Sequence, residues 1–222
     1  MKIFVAVPLF NEKKHINLVL KDINKYKLPI IIVNDGSTDG SEIGIKDLRI
    51  KNLVLLEHKI NLGKGAAMKT GAEYAFKKGA DAVIFMDSDG QHKANDLSKF
   101  VDALKSGKYD VVLGSRNLSM GVPLVRYLGN KAASLVLRFL FGVYVSDPIC
   151  GFRALTKTGY KKIKWESDGY GVETEMVAKI GKYNIKHTEV PVETIYIDGV
   201  KGVTLFDAFG ILGEVVKWRF TR

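Results

Sequence analysis

The 222-residue sequence predicts an α/β protein with a Rossmann-like, mostly parallel sheet and helices on both faces. Three observations carry that prediction. Short apolar runs rich in β-branched residues alternate with longer stretches of helical spacing. Within each run successive residues are apolar, so both strand faces are covered, as in a parallel sheet flanked by helices. No linker, internal repeat or low-complexity stretch interrupts the pattern, and the chain reads as one domain over 1–222.

The elements follow in order. Residues 3–7 (IFVAV) form the first strand, and Ile16, Leu20 and Ile23 then fall on one helical face. The runs 30–33 (IIIV) and 53–56 (LVLL) are the next strands, followed by a helix marked by Ala67, Ala75 and Phe76. The run 82–86 (AVIFM) precedes a helix carrying Leu97, Val101 and Leu104, and 111–113 (VVL) follows. From about 121 the character changes: Leu128, Ala132, Leu135 and Phe139 share one helical face, and Lys131 and Arg138 share another. Residues 184–192 (NIKHTEVPV) read as a strand with Pro191 near its end. The last segment, from about 203, sets Leu205, Phe209, Leu212, Val216 and Phe220 on one face and ends Lys217, Trp218, Arg219, Phe220, Thr221, Arg222.

An apolar fraction of 46% supports an ordinary core and excludes disorder. The single Cys150 excludes an internal disulfide framework, and with four His there are too few soft ligands for a structural zinc site. The expected compartment is reducing and cytoplasmic. The apolar run after Lys2 flows directly into a strand, which predicts no cleaved leader. Arg138, Asp207 and Glu214 interrupt the longest apolar stretches, which predicts no spanning helix. Net charge is +10, and residues 111–164 hold nine Lys or Arg against the lone acid Asp147. Such a patch suits nucleic acid, an anionic membrane surface or a phosphorylated substrate, and equally a plain solvated face.

In a parallel sheet ligands bind beyond the carboxyl ends of the strands. That rule selects 8–12 (PLFNE), 34–39 (NDGSTD), 87–92 (DSDGQH) and 114–116 (GSR), all polar. Asp87 and Asp89, one residue apart in a turn, can reach one ion, and oxygen ligands suit Mg²⁺ or Mn²⁺, which takes phosphate oxygens for its remaining positions. The competing reading is a turn in which Asp caps the next helix. Asp35 admits two readings as well, a carboxylate for a base edge or a turn former before Gly36. The GKG at 63–65 is no P-loop, since position 58 is His and Gly follows the Lys, and no G-x-G-x-x-G follows the first strand.

Taken in order and spacing, PLFNE (8–12), VNDGSTDGS (33–41), NLGKGAAMKTG (61–71), DSDGQH (87–92), GSR (114–116) and DPICGFRA (147–154) resemble the family 2 glycosyltransferases of GT-A fold. Within them the chain most resembles the polyprenyl-phosphate and dolichyl-phosphate sugar synthases, over nearly its whole length. The resemblance implies a nucleotide-sugar-binding half at about 1–116 and an acceptor-binding half at about 117–222. It assigns Pro8, Phe10, Glu12, Val33, Asp35, Lys64, Asp87 and Ser88 to the donor, and Asp89 and Gln91 to the metal. It places Arg116, Arg126, Asn130 and Lys131 at the acceptor phosphate, with Asp89, Arg116, Arg126 and Lys131 as the catalytic set. It also implies inversion at the anomeric carbon, and matches Glu175 to a family carboxylate. One departure concerns the region that closes over the diphosphate in mannose-transferring relatives, which here reads YIDGVKGVT with Lys201 as its cation. The donor therefore stays open among GDP-mannose, UDP-glucose and UDP-N-acetylglucosamine.

A lipid-phosphate acceptor gives the basic patch a task. Its phosphate oxygen is ionised at neutral pH and needs no general base, so catalysis reduces to positioning and charge neutralisation. A hydroxyl acceptor would need a carboxylate base, for which Asp147 is the candidate. A nucleotidyltransferase would carry a Gly-rich basic signature after the first strand, and PLFNE is not one. A nucleic-acid binder would show an aromatic-interleaved basic motif or a helix-turn-helix, and neither is present. A non-catalytic sugar-nucleotide binder would have no need of the acidic motif. The final helix has two readings, an interfacial helix in peripheral contact with the cytoplasmic face of a membrane or a last helix packed on the sheet.

Overall fold

A computed structural model describes residues 1–46, 48–117, 124–195, 213–215 and 217–220, without the side chains of Lys46, Leu124, Val125 and Arg126. Among these residues seven strands form one sheet, in the order β3-β2-β1-β4-β6-β5-β7. They are β1 (Ile3–Leu9), β2 (Ile30–Asp35), β3 (Leu53–His58), β4 (Ala82–Phe85), β5 (Val111–Arg116), β6 (Arg153–Thr156) and β7 (His187–Val192). Strands β1 to β4 pair in parallel, as do β5 and β7, while β6 runs antiparallel between β4 and β5. The sheet thus runs through both halves of the sequence.

The apolar runs behave as a doubly covered sheet requires. Phe4, Ala6, Ile31, Val33, Val83 and Phe85 face one side, packed with α3 (Lys64–Lys77), α6 (Lys157–Ile163) and α7 (Val172–Lys182). Ile3, Val5, Val7, Ile30, Ile32 and Ile84 face the other, under α1 (Ile16–Asn24), α2 (Ser41–Lys46) and α4 (Leu97–Lys105). Successive residues of these runs alternate between the two cores, which is why β1, β2 and β4 are apolar on both faces along these runs.

The first strand has β2 on one side and β4 on the other, so the chain order reverses at β1 and opens a crevice at the carboxyl ends. Helix α5 (Leu124–Phe141) packs against α7 and buries Asn130, Ser134 and Leu137. The face on which spacing places Leu128, Ala132, Leu135 and Phe139 is instead exposed.

The C-terminal turns at 213–215 and 217–220 are helical, and Val215 and Trp218 are buried in the core beneath α7 while Phe220 is exposed. Trp218 is therefore a core residue, and the packed reading of this end holds for the described part. Lys201, Leu205, Phe209, Leu212, Val216 and the YIDGVKGVT stretch lie outside the described residues. Among the described residues no helix is long and apolar enough to cross a membrane.

Candidate functional site

The loops leaving β1 and β2 are knitted together by the residue types of their motifs. Asn11 takes a left-handed conformation (φ 53°), which Asn tolerates, and its side chain accepts from the Thr38 amide at 2.8 Å. Its own amide donates to Ser37 Oγ at 3.0 Å, the Glu12 amide to Ser41 Oγ at 3.1 Å and the Lys13 amide to Asp39 Oδ2 at 3.0 Å. Pro8 pairs with Val33 in adjacent strands, and Phe10 stands exposed at the rim.

Asp35 ends β2 in a buried position with its carboxylate occupied. His58 Nδ1 lies 2.7 Å from Oδ1, the Leu62 amide donates to Oδ1 at 2.9 Å and the Gly63 amide to Oδ2 at 2.8 Å. His58 Nε2 in turn meets Thr70 Oγ1 on α3 at 3.0 Å. Asp35 thereby fixes the loop that delivers Lys64. The glycines around Lys64 serve packing: Gly63 has φ 98°, and a methyl group on either Gly63 or Gly65 would collide with the 167–168 backbone. The Ala66 amide at the start of α3 donates to Asp168 O, so this helix end is capped by protein.

Lys64 Nζ sits 2.7 Å from Asp87 Oδ1 and 2.8 Å from Glu173 Oε1. Burial alone would lower its pKa, but the two carboxylates outweigh burial and raise it. Burial likewise pushes Asp87 up, and Lys64, aided by His92 at 3.5 Å, overrides it and holds the carboxyl well below its usual range. Gly151 permits this approach, since a methyl group there would overlap Asp87 Oδ2 and lie 2.8 Å from Lys64 Nζ.

Asp89 is different. Burial and the neighbouring charge of Asp87 raise its pKa, and one oxygen accepts from the Gln91 amide at 2.9 Å across a turn whose Gly90 has φ 75°. The segment after β7 braces this turn, with the Ile195 amide donating to Gln91 O at 2.9 Å and Thr194 opposite His92. Ser88 is buried beside it.

Among the described residues no three His, Cys, Asp or Glu side chains group as a metal cage. The donor set is instead a carboxylate whose charge the protein disfavours, with the Gln91 side chain two residues on. That set fits Mg²⁺ or Mn²⁺, which keeps few protein ligands and takes the rest from water and phosphate.

At the end of β5, Arg116 grips Asp147 through Nε (2.6 Å) and Nη2 (2.9 Å). Asn130 is buried, donating to Ser146 O at 3.3 Å, and Ser146 in turn donates to Glu189 Oε1. Lys131 Nζ lies 3.4 Å from Tyr144 Oη and over the Tyr127 ring. The Arg126 side chain lies outside the described residues. Arg153 of the GFR motif is buried and donates to the Cys150, Pro148 and Glu173 carbonyls, which makes it a framework residue.

The structure thus joins Asp35 to the loop of Lys64, Lys64 to Asp87, and Arg116 to Asp147. It does not bring Glu175 to the acidic turn: this carboxylate accepts from the Glu166 and Ser167 amides and pairs with Lys179 at 2.9 Å. Glu173, two positions earlier in the same GVETEM stretch, is the carboxylate that faces Lys64. The available signal was helical phase, since residues two apart on a helix point about 200° apart and only one can face the site.

The family described as Glycosyl transferase family 2 matches residues 4–165. The UDP-N-acetylglucosamine–dolichyl-phosphate N-acetylglucosaminyltransferase of Methanococcus voltae is 31% identical, over 88% of this chain and 86% of its own length. The polyprenol monophosphomannose synthase of Mycolicibacterium smegmatis is 28% identical, over 85% and 75%. The fold is shared with a glucosyl-3-phosphoglycerate synthase of Mycobacterium tuberculosis, solved with Mn²⁺, UDP-glucose and phosphoglyceric acid, at TM-score 0.70 and 20% identity, covering 97% of this chain and 77% of that one. The sheet is accordingly of GT-A type, and the chain belongs to the family 2 glycosyltransferases.

Proposed function

We propose that this enzyme transfers a sugar from a nucleotide-sugar donor, GDP-mannose, UDP-glucose or UDP-N-acetylglucosamine, to a polyprenyl or dolichyl phosphate, with inversion and with Mg²⁺ or Mn²⁺. The observation that carries the reading is the state of Asp147. It is the carboxylate that a hydroxyl acceptor would need as a base, and here it is buried and engaged at both oxygens by Arg116. An ionised phosphate needs no base, and of the relatives named above one is named for transfer to dolichyl phosphate and the other for making polyprenol monophosphomannose.

In this reading Pro8, Phe10, Glu12 and Val33 line the nucleoside end. Asp35 shapes it by holding the 58–63 loop, and Lys64, Asp87 and Ser88 flank the diphosphate and sugar. Asp89 and Gln91 would hold the cation, which supplies positive charge to the departing diphosphate. Arg116, Arg126 and Lys131 orient the acceptor phosphate, and Asn130 fixes the helix that carries Arg126 and Lys131. One phosphate oxygen forms the new bond to the anomeric carbon as the bond to the diphosphate breaks, and the nucleoside diphosphate leaves with the electron pair. The same reading puts the enzyme in peripheral contact with the cytoplasmic face of a membrane.

The test is nucleoside diphosphate release from a panel of UDP- and GDP-sugars with Mg²⁺ or Mn²⁺, with and without polyprenyl phosphate. Lipid-dependent release that Asp89→Ala abolishes is the expected result. Release that ignores the lipid, or an active Asp89→Ala, overturns the reading.

A further inference from the structure

Helix α5 has two opposed faces. Asn130, Ser134 and Leu137 are buried against the sheet side, with Val136, Leu140 and Phe141 packed beside them. On the outer side Leu128 is 55% exposed, Leu135 59% and Phe139 88%, with Ala132 exposed between them. At about 100° per residue these four fall within about 60° of arc, opposite Leu137. Single exposed apolar residues are ordinary, but a continuous stripe ending in a bare Phe marks an interaction surface.

The charges around the stripe select its occupant. Helix α5 carries Arg126, Lys131 and Arg138 and no Asp or Glu. Lys131 and Arg138 lie together on one side of the stripe, about 70–90° from its centre. Tyr144, 44% exposed, stands beside the Lys131 ammonium. An apolar stripe with cations at its edge matches a helix lying in the head-group region of a bilayer, with apolar side chains at the acyl boundary and cations among anionic head groups. A symmetric dimer through the same face would set these cations against their own copies, which charge disfavours.

We infer that the Leu128–Phe139 face of α5 docks on a membrane surface bearing anionic lipids. The inference deepens the lipid-phosphate reading: α5 reaches the acceptor end of the site through Asn130, whose partner Ser146 precedes Asp147 in the chain. Docking by the outer face would bring that end of the site to head-group level. The C-terminal turns contribute less, because Trp218 is already spent on the core.

The experiment is flotation of the purified chain with vesicles of phosphatidylcholine alone or mixed with phosphatidylglycerol, none containing polyprenyl phosphate. Wild type should float with the anionic vesicles, and added salt should weaken that binding. Leu135→Glu combined with Phe139→Glu should lower the bound fraction by at least about tenfold. Arg138→Gln should lower it roughly fivefold. Unchanged circular dichroism and donor binding would show that these surface variants fold.

Flotation of the double variant at the wild-type level overturns the inference, as does failure of wild type to bind either vesicle. A wild-type dimer that the double variant converts to monomer, without vesicle binding, would assign the stripe to a second copy instead. Vesicle binding without transfer to lipid phosphate would sink the function proposed above and leave this surface standing.

Discussion

Arg116 and Asp147 are locked together at three points: Nε to Oδ2 at 2.6 Å, Nη2 to Oδ1 at 2.9 Å, and the Arg116 amide to Oδ2 at 3.2 Å. The carboxylate is only 1% exposed, so its charge is compensated by the guanidinium rather than by water. Asp147→Asn keeps the shape but sets an amide nitrogen against one guanidinium nitrogen. Unfolding free energy should fall by about 3–5 kcal/mol. The misplaced Arg116 should cost about a hundredfold in kcat with little change in donor KM. A variant with normal kcat would show that Arg116 needs no such support. Lost turnover in Asp147→Asn does not mark Asp147 as a base for a hydroxyl acceptor, because Asp147 holds Arg116 in either case.

The Lys64 bridge makes a second prediction. Lys64→Met leaves Asp87 and the buried Glu173 without their shared cation and should destabilise by about 3–5 kcal/mol in denaturant unfolding. Glu173→Gln keeps the Lys64–Asp87 pair and should cost about 1–3 kcal/mol. The double variant should be more stable than the sum implies, since the second change removes a charge that the first strands. Strict additivity would show that the three groups are not coupled.

Acid titration separates the two carboxylates of the turn. The folded-state pKa of Asp87 is depressed below the ordinary 3.8, so its stabilisation is fully present above that value and is lost as pH falls through the range beneath it. The stability advantage of wild type over Lys64→Met should therefore be complete near neutrality and shrink below about pH 3.8. Asp89 has the opposite sign: its pKa is raised, so its ionisation works against the fold at neutral pH. Asp89→Asn should raise the unfolding free energy near neutrality while removing transfer, as expected of a residue kept for function. A destabilised Asp89→Asn would mean that the turn depends on that charge.

The two aromatic residues near the C-terminus should behave oppositely. Trp218→Ala empties a core position and should cost about 3–5 kcal/mol, whereas Phe220→Ser, on the exposed side, should stay within about 0.5 kcal/mol. Equal and small effects would detach this end from the core.

The parts of the fold legible in sequence were those with an unambiguous period. Runs such as 30–33 and 82–86 are apolar at every position because two cores compete for them, and that signature belongs to buried parallel strands. Strand β6 left no such mark: it is four residues long and opens with the buried Arg153, whose hydrogen bond to the distant Glu173 carbonyl cannot be foreseen locally. Helix α5 is apolar on two sides, so spacing found the stripe from Leu128 to Phe139 but could not tell that the fold covers the other side. The site followed the same rule. Strand-exit motifs placed Asp35, Asp87, Asp89 and Arg116 at the carboxyl edge, whereas the partners His58 of Asp35, Glu173 of the Lys64–Asp87 pair and Asp147 of Arg116 come from distant segments and emerge only when the chain is folded.

The proposed reaction turns on a phosphate oxygen of a lipid as the nucleophile. The most direct measurement offers the enzyme a polyprenyl phosphate and the matching polyprenol, identical in tail, with a radiolabelled donor, and counts the label extracted into organic solvent. Label is expected in the phosphate sample and none above background with the alcohol. Label carried by the polyprenol, or by a saccharide acceptor when the lipid phosphate takes none, would contradict it.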